Sequence, residues 1–175
     1  LNAGGVRYDI STDMSKFEGS LHINGSARLM SNVTDMKKLT LTLGDGASMR
    51  HYQGGSSNNV AAALHVGALA DAAGYSSFKA KPTFGGSDES WFVGYNNAEA
   101  TFSGKLIAKS VTKVGTGNWT IKGNENSSSI TVKEGKLTIF NLSGSATTGT
   151  MTIGKTATLT GTGTTNSIVA QSGSI

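Results

Sequence analysis

Toward the C-terminal end of the chain, apolar residues come in pairs two positions apart, and short Gly- or Ser-containing turns separate the pairs. Trp119 and Ile121 form one pair, followed by Ile130 with Val132, Leu137 with Ile139, Met151 with Ile153, Ala157 with Leu159 and Ile168 with Ala170; Ile175 closes the series. Period two is the signature of a strand, whose side chains point alternately to its two faces. In TVKEGKLTI (131–139) it sends Val132, Leu137 and Ile139 inward and leaves Thr, Lys and Glu to water. A strand this short cannot bury its apolar face alone, but coil stacked on coil gives every strand a neighbour above and below. Setting SITVKEGKLTI (129–139) against TMTIGKTATLT (150–160) puts Ile130 on Met151 and Val132 on Ile153, a step of one coil. The pattern therefore predicts an all-β fold, a right-handed parallel β-helix with three short strands per coil and an aliphatic core. Gly123, Gly135, Gly154 and Gly161 fall where the chain must turn between strands. An antiparallel sandwich also has short strands between turns, but the near-constant repeat favours the solenoid.

The N-terminal half is less regular. FEGSLHING (17–25) is like FSGKLIAKS (102–110) in its Phe-x-Gly-x-Leu opening, which predicts two rung-like units flanking a middle region. KLTLTLGDG (38–46) reads as a half-buried strand and turn. Residues 48–91 read as an irregular, loop-bearing insertion in a single solenoid domain spanning 1–175. Within it, NNVAAALHVGALADAAG (58–74) has room for a helical turn, but a strand through Leu64 and Val66 is the preferred reading. KAKPTFGGSDESW (79–91) holds the only proline and is expected to loop off the side of the solenoid.

Composition agrees. Apolar residues make up 37% and charged residues 15%, and the 24 glycines with abundant Ser, Thr and Asn suit a turn-rich β chain. The strand-length apolar bursts argue against a disordered linker. The net charge of +4 comes from scattered lysines whose longest run is Lys37-Lys38, whereas nucleic-acid binding calls for a concentrated basic stripe with stacking aromatics. Dispersed lysines are expected to keep exposed strands soluble. The absence of cysteine removes disulfides, thiolate chemistry and cysteine zinc sites. No apolar run is long enough for a membrane-spanning helix, and any export signal is expected upstream of the opening Leu-Asn-Ala-Gly-Gly.

The most enzyme-like cluster is Arg50-His51-Tyr52, in which a guanidinium, an imidazole and a phenol could bind a uronate and move a proton. Neighbours on a strand point to opposite faces, so this stretch reads as a solvated turn or a glycan-contact edge. His22 and His65 read as packed or rim residues. A calcium-dependent lyase centre needs acids at matching positions on adjacent coils, and Asp9, Asp13, Asp35, Asp45, Asp71 and Asp88 are dispersed. Asp45-Gly46 reads as a turn and not a calcium site. Trp91, Phe92, Tyr95 and Tyr75 concentrate in one region and are the candidate ligand-binding residues, because sugar rings stack on flat aromatic faces; the competing reading is that they plug the solenoid wall. Trp119 is assigned to the core. Threonines in TATLTGTGTT (156–165) suggest a water-ordering array only weakly, since two coils carry them. No catalytic residue, metal site or cofactor is assigned.

In order along the chain stand LHVGALADAAG (64–74), WFVGYNNAEATFSGKL (91–106), VTKVGTGNWTIKGN (111–124), ITVKEGKLTIFN (130–141), GSATTGTMTIGKTATLTGTGT (144–164) and IVAQSGSI (168–175). This succession resembles the autotransporter-associated β-strand repeat proteins of bacterial surfaces, whose repeats build right-handed parallel β-helices. One departure is ENSSS (125–129), where that family carries an aromatic segment. The resemblance implies export to the extracellular space or outer-membrane surface of a bacterium. It also implies a stalk or passenger role in a longer polypeptide, with further solenoid coils as the chain's neighbours and no activity intrinsic to the repeat. The expected function is that of a non-catalytic structural or adhesive module contacting glycans or host and cell-surface molecules, without nucleic acid or membrane insertion. The alternative is an accessory or terminal part of a polysaccharide lyase-like β-helix enzyme. A fragment of this kind leaves the coil at 168–175 with an unpaired edge.

Overall fold

The computed structural model describes residues 2–52, 63–72, 80–123, 125–127, 129–140 and 149–173. These hold thirteen strands and no helix: β1 (Asn2–Ile10), β2 (Gly19–Met30), β3 (Asp35–Leu43), β4 (Ser48–Tyr52), β5 (Ala63–Asp71), β6 (Thr83–Val93), β7 (Ala100–Phe102), β8 (Lys105–Lys113), β9 (Asn118–Ile121), β10 (Glu125–Ser127), β11 (Ser129–Ile139), β12 (Thr150–Gly161) and β13 (Ser167–Ala170). Every pairing among them is parallel, which excludes the sandwich. The strands stack into a β-solenoid of about 6 turns.

Three walls form because the longer strands bend through a corner. The start of β2 and the ends of β3 and β5 lie on the first wall, which continues through β7, β9 and the ends of β11 and β12. The second wall holds β1, the end of β2, β4, the starts of β6 and β8, and β10. On the third wall are the starts of β3 and β5, the ends of β6 and β8, the starts of β11 and β12, and β13. The chain passes first, second, third and first again, three strands to the coil as expected.

Inside, identical register positions make continuous columns. Leu64, Trp91, Val111, Ile130, Met151 and Ile168 stand in successive rungs of the third wall. The first five are at most 1% exposed, and Ile168, on the last described strand, is 53% exposed. Each fully buried aliphatic member contributes roughly 1.5–3 kcal/mol relative to exposure. The predicted stacking of Ile130 on Met151 and of Val132 on Ile153 is present, and Trp119 is core. At the corner from the third wall to the first, Gly115 and Gly135 both have φ of +70°, and a Cβ would stand 2.1 Å from the Gly94 carbonyl oxygen and 2.3 Å from that of Gly115, respectively. Only glycine lets successive coils close to this distance.

Three expectations need correction. First, the middle region is not a break in the solenoid where it is described: β4, β5 and β6 take ordinary rung positions, while 53–62 and 73–79 lie outside the described residues. The strand through Leu64 and Val66 is β5, and the stretch expected to loop off the side supplies β6 from Thr83 onward. Pro82 precedes that strand, where its missing N–H costs no ladder bond. Second, the Phe-x-Gly-x-Leu likeness is not positional. Phe17 is 43% exposed and Phe102 is fully buried, with Leu21 on the first wall and Leu106 on the second. Third, Lys113 does not face water. It occupies an inward position between Val93 and Val132, 1% exposed. Its ammonium donates to the carbonyls of Val114 (2.6 Å), Gly115 (2.7 Å) and Glu134 (3.5 Å), so the lysine ties the glycine corner together. Burial pushes its pKa down to about 8, which leaves it charged at neutral pH.

Candidate functional site

The expected aromatic site is divided by the wall. β6 alternates through its last residues, so Trp91 points inward and Phe92 outward. Trp91 is fully buried, with its indole 4.2 Å from the Phe84 ring, and it cannot serve as a ligand platform. Tyr75 lies outside the described residues. Phe92 and Tyr95 are half-buried on the outer surface of the third wall, and they gather a residue not placed with them from sequence, His65. Register puts His65 one rung from Phe92. The imidazole stacks on the Phe92 ring at 4.8 Å and 24°, and Tyr95 meets it edge-on at 5.4 Å with its hydroxyl 2.9 Å from Nδ1. The step from His65 to Phe92 is longer than that from Ile130 to Met151, so the repeat read from the regular coils did not bring them together.

The cluster is braced from two sides. Asp35, in register with His65 on the other neighbouring strand, pairs with Lys37 at 2.9 Å, and the Lys37 ammonium sits 5.4 Å from the Tyr95 ring centre. The turn carrying Tyr95 is anchored by Asn96, which donates to the Thr40 hydroxyl and accepts from the Ala98 N–H. Burial, and then the Lys37 charge, lower the His65 pKa, so the ring is neutral at pH 7. Burial raises the Asp35 carboxyl, but the Lys37 contacts outweigh it and the net shift is downward. Chemically this is an aromatic cluster, a stacked imidazole and phenyl ring with a phenol edge-on to them, and it has an ion pair at its margin.

The Arg50-His51-Tyr52 stretch forms β4, with Arg50 and Tyr52 outward and His51 inward, as alternation requires. Beside it lies a cleft of about 90 Å³ reached also by Ser87, Asp88 and Glu89. Glu89 was not anticipated. The strand bulges between Gly86 and Ser90, and the carboxylate fills the space beside the side-chain-free Gly85 and Gly86, where a Cβ on Gly86 would stand 2.9 Å from Oε1. There it accepts the His51 backbone N–H at 2.9 Å and the Trp91 indole N–H at 2.8 Å. Burial pushes its pKa up. A Gly-Gly pair inside a strand signals such a bulge, and that was the available cue. His51 Nε2 is buried without a partner, and burial lowers the imidazole pKa. The cleft thus holds a carboxylate occupied by N–H donors and an imidazole turned into the wall, an arrangement that braces β4 against the bulge.

The other candidates serve local structure. His22 spans Thr42 and Asn24 on the rim of the first wall. Asp45 accepts the Ala80 N–H, and Gly46 beside it has φ of +63°, so the Asp-Gly pair is a turn that docks the chain before β6. Asp71 receives both the N–H and the hydroxyl of Ser103. Among the described residues no three His, Asp or Glu side chains gather as a metal site.

Stacked parallel coils define the chain as a β-solenoid protein. No family model, curated protein or solved structure matches it.

Proposed function

We propose that the chain is a non-catalytic structural or adhesive β-helix module of a secreted or cell-surface bacterial protein, contacting glycans through Phe92, His65 and Tyr95. The observation that carries this reading is the braced aromatic cluster on the outer third wall, where two apolar rings and a neutral imidazole lie together without being consumed by the core. Sugar rings present C–H faces that stack on such surfaces, and a rigid solenoid holds the platform at fixed height. The surface location and the setting in a longer chain rest on the motif order. The lyase-like alternative would need a carboxylate and a base free to reach a substrate, and Glu89 is engaged by two N–H donors while His51 faces inward.

A glycan-array screen of the chain beside Phe92→Ala and Tyr95→Ala tests this. Loss of neutral-glycan binding in both variants, at unchanged folding, is the expected result; unaltered binding in both removes the platform. Trp91→Ala is unsuitable for the purpose, since it perturbs the core.

A further inference from the structure

Away from the aromatic cluster, outward positions of the second wall build a polar surface. In one register line stand Arg7, Ser26, Ser48 and Thr83, and in the next stand Asp9, Arg28 and Arg50. Between these lines is a groove of about 330 Å³, at the lower end of the size of small-ligand sites. Arg28 is held rigidly. Its Nε and Nη2 donate to Asp9 at 2.8 and 2.6 Å, and its guanidinium lies 4.0 Å over the Tyr52 ring. Arg7 shares the same carboxylate at 3.2 Å. Arg50, one rung on and exposed, makes no ion pair among the described residues. Three guanidiniums therefore border the groove, with Asp9 paired to two of them at its margin; Asp88 and the buried Glu89 lie on the far side of Arg50, in the neighbouring cleft. The floor is hydroxylic, with Ser26 and Ser48 Oγ 3.0 Å apart, and Gly85 leaves the position beyond Arg50 free of a side chain.

We propose that this groove binds an acidic saccharide, the carboxylate of a uronate-type unit meeting Arg50 and Arg28 while ring hydroxyls meet Ser26 and Ser48. Guanidinium and carboxylate match in planar geometry; Arg50 offers its whole fork to the acid group, and Arg28, whose Nε and Nη2 are held by Asp9, adds its remaining Nη1 donors and its charge from one rung (~4.8 Å) away. An open, shallow groove running across rungs admits a linear chain, and the serine pair supplies groups that both donate and accept. This deepens the adhesive reading by naming a glycan class, but it rests on a wall separate from the aromatic cluster.

The test is calorimetric titration of the intact chain and of Arg50→Gln with a galacturonate oligomer, a neutral glucan oligomer of equal length and inorganic phosphate, at low and physiological salt, with Phe92→Ala alongside. The uronate oligomer is expected to bind more weakly as salt rises and roughly tenfold or more weakly to Arg50→Gln, at an unchanged unfolding midpoint and with Phe92→Ala like the parent. Equal affinity for the neutral oligomer, equal affinity in Arg50→Gln or no uronate binding would overturn the proposal. Phosphate binding as tightly as the oligomer would overturn the saccharide assignment. Loss of uronate binding in Phe92→Ala but not in Arg50→Gln would remove the groove and leave the aromatic platform standing.

Discussion

Trp91 and Phe92 are adjacent aromatics on opposite sides of one wall, so truncating each tests the fold where it matters for the site. A buried Trp removes roughly 150–250 Å² from water, worth about 4–6 kcal/mol at ~25 cal/mol per Å², and large-to-Ala core changes of this type cost about 3–5 kcal/mol in practice. Trp91→Ala also strips the Glu89 carboxylate of its indole donor, adding roughly 1–3 kcal/mol for a buried acceptor left short. The expected loss is about 5 kcal/mol or more, comparable with the whole stability of a small domain. Phe92→Ala loses the stack on His65 and part of a half-buried ring, about 1–2 kcal/mol. Urea unfolding followed by far-ultraviolet circular dichroism measures both. If Trp91→Ala fails to fold, Trp91→Phe keeps the packing and loses the N–H, and combined with Glu89→Gln in a double-mutant cycle it should show a coupling of about 1.5–3 kcal/mol. The reasoning is refuted if Phe92→Ala costs as much as Trp91→Ala, or if the cycle is additive.

Gly115→Ala should lower the unfolding free energy by at least about 2 kcal/mol, because its Cβ would meet a neighbouring coil's backbone oxygen at 2.1 Å in a left-handed conformation; an unchanged urea midpoint would contradict the corner. Below pH 6.5 the chain should lose stability, since burial holds the His51 and His65 pKa values below the unfolded one and the unfolded state takes up protons first. That loss should shrink in His51→Gln. Glu89 acts in the opposite sense, because its raised pKa makes the folded state bind the proton first and gain stability as pH falls from that pKa toward 4.5. Stability should rise between pH 8 and 10.5 through Lys113, whose folded pKa of about 8 lies below the unfolded 10.5, and this rise should be absent from Lys113→Met. Asp71→Ala should cost about 1–2 kcal/mol by releasing Ser103, read from the same unfolding curves.

The regular strands were legible because alternation and repeat length carry the same message. Ile130 over Met151 and Val132 over Ile153 follow from the spacing and appear as registered pairs, whereas Leu137 meets Leu159 only after a one-residue shift between Val132 and Glu134. The aromatic site was legible only in part. Phe92 and Tyr95 were identified, but His65 joins them through stacking across rungs. Trp91 was grouped with them by nearness in the chain, with plugging of the wall as the competing reading, and it is the latter place that it takes; its face is set by the bulge between Gly86 and Ser90, which resets the alternation in β6. A one-residue slip reverses which side chains face the core. Glu89 was missed for the same reason: the bulge that admits its carboxylate is a property of the pairing.

Alternation, turn glycines and the coil-length repeat, all local quantities, determined the class of fold, its parallel stacking and most of its aliphatic core. Tertiary structure decided which polar groups belong to the interior and which surfaces coincide. Lys113 sits at an inward position, and only the closing corner supplies the three carbonyl oxygens that make its burial tolerable. Arg7, Arg28 and Arg50 are far apart in the chain and come into adjacent register lines because each coil returns the backbone to the same wall. Such coincidences depend on the number of residues between corners, including bulges, and a local pattern does not contain that number.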